Sequence, residues 1–200
     1  MGEAMGAREF DSAPDLIACQ AMAQEFEAYL RSDVLYWQMD ASRPGGDQLP
    51  KLTVSGFLER AYRLRAAPLT PAQQTTLEQS VRLFERARQA HHSRYIVRVV
   101  HDLRGRLDAW QWFLDDYAKR PEEQAPYYPA QVHTRLAIQL LLDELSGRPE
   151  AAEFERRLFT LDERLRTDWI AGDFVWPSSL AHAFPRDRFW WLYGRLKQAD

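Results

Sequence analysis

The chain has no asparagine, a single cysteine (Cys19) and only three lysines (Lys51, Lys119 and Lys197) in 200 residues. Without asparagine there is no N-glycosylation acceptor and no mechanism that depends on an Asn side chain. One cysteine excludes an internal disulfide and a cysteine metal cluster, and the place of Cys19 among apolar positions reads as an inert core residue. The scarcity of lysine leaves arginine to carry nearly all the positive charge, a pattern that fits a GC-rich coding sequence. No apolar run approaches the ~20 residues needed to cross a bilayer. The first residues also lack the basic and apolar regions of a secretory signal, so the expectation is a cytosolic chain without membrane contact. A net charge of -3 makes nucleic acid an unexpected partner, since such proteins present a strongly basic face. Missing too are GxxxxGK, GxGxxG, GxSxG and CxxC, and with them phosphate cradles, dinucleotide folds and serine elbows. Neither HxxxH nor ExxH spacing occurs, so no two metal ligands share one helical face in the usual way. No cofactor and no metal is expected.

What is present is helical periodicity. A hydrophobic fraction of 46% with 28% charged residues suits one globular domain with a substantial core, read here as a loose tail over residues 1–12 followed by a single helical domain over 13–200. Ser12, Pro14 and Asp15 open the first helix, and Leu16, Cys19, Ala23, Phe26, Leu30, Val34 and Trp37 carry its stripe towards Met39. Pro44, Gly45, Gly46 and Pro50 mark a loop over residues 40–52. Thr53 caps a shorter helix that Pro68 ends. Thr70, Pro71 and Gln73 then supply a cap, a first-turn proline and a capping-box partner. From there Leu77, Val81, Phe84, Tyr95, Val99, Leu103, Leu107, Trp110 and Tyr117 keep a helical spacing. They predict one very long helix over about 71–117, roughly 70 Å if straight, with Gly105 as the place to kink. Two further helices follow, one from Ala130 to Leu145 and one on Ala151, Phe154, Leu158, Leu161 and Leu165, separated by a stop at Gly147. The fold class is therefore all-α, a bundle of about six helices with an aromatic-rich C-terminal segment and a last helix from about Pro185.

Three constellations could carry chemistry. Arg88, His92, Asp102 and Arg106 form a polar seam within the apolar arc of the long helix, which reads as an anion pocket with Arg88 and Arg106 on the substrate and His92 as acid or base. His133 projects from the apolar arc of another helix and can meet His92, so Arg88, His92 and His133 are the candidate ligand-binding set. Asp102 lies four residues from both Arg98 and Arg106 and can pair with either, which makes it a register-fixing ion if buried. The run His101, Asp102, Leu103, Arg104, Gly105, Arg106, Leu107 resembles the phospho-acceptor box of sensor histidine kinases, with Arg106 where that box has proline. The resemblance covers those seven residues and implies His101 as an exposed phosphoryl acceptor. It does not extend to an ATP-binding domain, whose magnesium-binding Asn the chain cannot supply.

A helix longer than a domain of this size needs should pack part of its stripe against another chain. Trp110, Phe113, Trp176, Trp190 and Trp191 are the candidate interface anchors, since aromatics concentrate at interface centres. Trp190 and Trp191 are adjacent and cannot share one helical face. These features point to a non-catalytic helical interaction or assembly protein, with a homo-oligomer or another protein as partner. The alternatives are an enzyme or small-molecule and anion binder at the Arg/His cluster, and a phosphotransfer-like protein acting through His101.

Overall fold

A computed structural model describes residues 9–40 and 48–198. Most of the expected loose tail, residues 1–8, and residues 41–47 of the expected loop lie outside the described residues. The fold is an all-α bundle. Its helices are α1 (Ala13–Arg31), α2 (Val54–Ala66), α3 (Pro71–Ala90), α4 (His92–Lys119), the short α5 (Pro121–Gln124), α6 (Tyr128–Glu144) and α7 (Ala151–Asp168). Helix α1 packs on α2 and α3, α6 lies against both α2 and α4, and α7 packs on the C-terminal half of α4 through Asp108, Gln111 and Asp115.

Local signals in the sequence set several of these boundaries. Thr53 caps α2, its hydroxyl accepting from the Gly56 amide at 3.0 Å. At the start of α3 the capping box is complete, with Gln73 N donating to the Thr70 hydroxyl (3.3 Å) and Thr70 N to the Gln73 side chain (2.9 Å). Gly147 takes φ +76° just after α6, a left-handed conformation that only glycine adopts without strain.

The expected helix over 71–117 is two helices, not one. The pattern is helical throughout that range, but it breaks at His91, which has φ -123° and ψ 39° and serves as the last cap of α3 and the first of α4. On a straight helix Phe84 and Tyr95 would sit about 16 Å apart along the axis. Their rings are instead 5.9 Å apart, edge to face, and both pack on Phe26 of α1, at 4.5 and 6.3 Å. Phe57 of α2 stacks on Phe84 at 4.1 Å and completes the cluster. Burying these four rings together outweighs the helical hydrogen bonds lost at the turn, since each large aromatic contributes roughly 2–3 kcal/mol on burial. Gly105, the expected kink, lies within the continuous α4, and Tyr36 passes over it with its hydroxyl 3.4 Å from where a Cβ would stand.

Two further expectations change. Helix α1 stops at Arg31, well short of Met39. Its end is fixed from outside, because Arg94 donates to the Arg31 carbonyl at 2.6 Å and the buried Arg98 donates to that of Ser32. Among the described residues no α-helix follows Pro185. The segment runs through 3-10 turns at Ser178–Ala183 and Trp190–Leu192 into β2 (Gly194–Leu196), which pairs antiparallel with β1 (Trp169–Ala171). Phe174, Phe184, Phe189 and Tyr193 form a chain of ring contacts, and Phe184 and Phe189 pack on Tyr62 of α2, so this segment lies as a lid on α2 and α6.

Candidate functional site

The candidate set Arg88, His92 and His133 does not come together. Arg88, near the end of α3, pairs with Glu85 (3.2 Å) and with Glu144 at the far end of α6 (3.4 Å). His92 accepts from Arg148 through Nε2 at 2.7 Å, which occupies the imidazole lone pair. His133 is eleven residues before Glu144 on the same helix, about 16 Å along its axis. One small anion cannot touch all three.

His133 belongs to a separate ion cluster. Its Nδ1 meets the Glu59 carboxylate, which also accepts from Arg63, and Arg63 in turn donates to Asp15 of α1 at 2.8 and 2.7 Å. Trp176 stacks on the imidazole at 4.4 Å and donates its indole N–H to the Pro129 carbonyl. Thus one cluster ties α1, α2, α6 and the C-terminal segment together. Burial raises the Glu59 carboxyl pKa, but the hydrogen bond from His133 and the charges of Arg63, His133 and Arg60 outweigh it and hold the group down at about 2. A carboxylate depressed in the folded state stabilises the fold fully above its ordinary value of 4.5 and loses that contribution as pH falls towards 2. The melting temperature should therefore fall between pH 4.5 and 2, and Glu59→Gln should flatten that fall while lowering stability at neutral pH. Calorimetry across that range checks it, and parallel curves for the two proteins would contradict it.

Asp102 also acts in the interior. Only 1% exposed, it accepts from the Ser55 amide at 2.7 Å and from Arg106 Nε at 3.2 Å, so it pairs with Arg106 and not with Arg98. A carboxylate from α4 thereby caps the first turn of α2 from another helix, where the helix dipole favours negative charge. Cys19 is fully buried, and burial pushes its thiol up to about 12.

The candidate interface aromatics divide. Trp110, Phe113 and Trp191 are buried within the chain's own core, so they cannot anchor a partner on the folded protein. Trp190 sits on a 3-10 turn, half-buried, edge to face with Trp169 at 5.1 Å and covered by Arg166 at 3.7 Å. The α4 tryptophan that faces solvent is Trp112, 69% exposed, two positions beyond the one expected. The stripe runs through Trp110, so helical spacing puts Trp112 on the opposite side of α4.

A different surface emerges at the junction of α1 and α4. Leu30, Ser32, Asp33, Ser93, Arg94, Val97, Arg98 and His101 line an open groove of about 400 Å³. Val97 is 53% exposed, and Val34 and Tyr36 beyond the end of α1 are about half exposed. Arg94 and Arg98 cap α1 through its carbonyls, and neither they nor the exposed Arg104 has a carboxylate partner among the described residues. Arg94, Val97, His101 and Arg104 are three or four residues apart and so occupy one face of α4, which Trp112 extends. The face therefore offers apolar contact between positive charges.

No protein-family model matches the chain, and neither a curated protein nor a solved structure shows significant similarity to it.

Proposed function

We propose that this chain is a cytosolic, non-catalytic interaction protein whose recognition face is the groove between the end of α1 and the outer side of α4. The observation that carries this reading is the exposed Val97 in the lining of the groove, with Val34 and Tyr36 about half exposed beyond the end of α1, beside arginines that have no carboxylate partner among the described residues. Such a face complements a protein segment that presents an apolar side chain between acidic ones, because the apolar contact provides binding energy and the charges set orientation and encounter rate. The histidines do not compete well for this role. His92 and His133 are each committed to partners within the chain.

The test uses a fluorescently labelled helical peptide carrying Phe with Glu four residues to either side. Binding by anisotropy is expected in the micromolar range and should weaken with added salt. Val97→Glu or Arg104→Glu should weaken it about tenfold, which corresponds to the loss of one good contact. Equal binding of the same peptide with both Glu replaced by Lys would refute the reading.

A further inference from the structure

We infer that the chain carries the matching segment itself, on α7, and that the groove of one copy receives α7 of another. This inference rests on the groove being the recognition face. The core stripe of α7 is Ala151, Phe154, Leu158, Leu161 and Leu165. Phe159 lies off that stripe and is 66% exposed, the most exposed phenylalanine among the described residues. It stands at the mouth of a shallow groove between α6 and α7, with Leu142, Glu155 and Asp162 among the lining residues.

Glu155, Phe159 and Glu163 are spaced by four and share one exposed face of α7. The two glutamates are about 12 Å apart along the axis. On α4 the corresponding order is Arg94, Val97 with His101, and Arg104, with the arginines about 15 Å apart. Arg94 is held at the Arg31 carbonyl, and the exposed side chains of Arg104 and the two glutamates span the difference. The sequence acid, apolar, acid on one helix therefore meets base, apolar, base on the other. The local exceptions also complement each other, since Arg156 flanks Phe159 while Asp33 lies in the groove. Glu163 has a neighbour in Arg166 at 3.7 Å, an exposed pair of small energetic value. Glu155 has no ion pair among the described residues.

Knob and groove are different patches of one surface, so the contact is heterologous unless a two-fold axis makes it twice. Either assembly requires both patches. Because Val97 and Phe159 are each more than half exposed, substituting them leaves the core intact, and circular dichroism melts verify this.

The experiment is sedimentation velocity on the full chain from 1 to 100 µM, on the Val97→Glu and Phe159→Glu variants, and on their equimolar mixture. The expected result is self-association of the native chain, association at least about tenfold weaker in each variant, and a 1:1 complex in the mixture, where one intact knob meets one intact groove. A native chain that is monomeric at 100 µM overturns the inference. So does Phe159→Glu assembling normally. In both cases the groove reading stands or falls separately on the peptide measurement. Loss of assembly in Phe159→Glu but not in Val97→Glu would place the α7 contact outside the groove and also overturn the inference.

Discussion

Asp102→Ala should cost about 4 kcal/mol of folding stability, combining an unsatisfied buried amide with the loss of a largely buried ion pair. The carboxylate is held between the Ser55 amide on α2 and Arg106 on its own helix, and the Ser55 hydroxyl accepts from the same Arg106 Nε at 3.1 Å. Removing it leaves the Ser55 amide in the first turn of α2 without an acceptor, while Thr53 still caps Gly56, and turns a guanidinium towards an emptied site. The Arg106 side chain is 31% exposed, so part of its charge returns to water and the cost falls short of that for a fully enclosed pair. Asp102→Asn keeps an oxygen for the amide but loses the charge opposite Arg106, and should cost about half as much. Urea denaturation with an unchanged slope measures both. At roughly 2–4 °C per kcal/mol for a chain of this size, the alanine variant should melt about 10 °C lower. A loss below about 1 kcal/mol would show that Asp102 is not the buried cap described above.

Arg135→Ala should be comparably damaging, by about 4 kcal/mol. Arg135 is 3% exposed in the middle of α6, donates to both oxygens of Asp162 at 2.9 and 2.7 Å, and lies 3.6 Å from the ring centroid of the buried Trp191. It thus joins α6, α7 and the C-terminal segment through one guanidinium, by a forked ion pair and a cation–π contact. Taking it away leaves Asp162 without its counterion and Trp191 without its cover. A charged pair removed as a whole behaves differently from one that is broken. The double variant Arg135→Met, Asp162→Leu should therefore recover most of the loss, while Arg135→Met alone should not. Losses that simply add in the double variant would deny the coupling.

Much of the fold was legible because its signals are local. Thr53, Thr70 with Gln73, and Gly147 act over three or four residues, and the structure places helix ends at each of them. The break at His91 was not legible as a break. Neither proline nor glycine marks it, and its cause is a ring cluster drawn from α1, α2, α3 and α4. Its trace in the sequence is the gap in the stripe between Phe84 and Tyr95, where Arg88, His91 and His92 stand. The end of α1 follows the same logic, since Arg94 and Arg98 are more than sixty residues away from the carbonyls they cap.

The candidate surface was partly visible. Phe159 falls outside a strict leucine spacing, so its exposure could have been read from the stripe. Trp112 could have been read in the same way from the placement of Trp110. Arg135 carried a signal too, because an arginine inside a leucine-rich helix needs a counterion when buried. What no periodicity could supply was the neighbour, whether Asp162 beneath Arg135 or the end of α1 beside Val97.

The most direct measurement is backbone amide mapping by NMR as the Glu–Phe–Glu peptide is titrated into the full chain. A recognition face formed by the end of α1 and by α4 predicts that the largest shifts fall on residues 30–36 and 93–104, continue towards Trp112, and vanish in Val97→Glu. Shifts centred on the His133 and Glu59 cluster, or on Arg88, His92 and Arg148, would contradict it and move the functional site to the histidines.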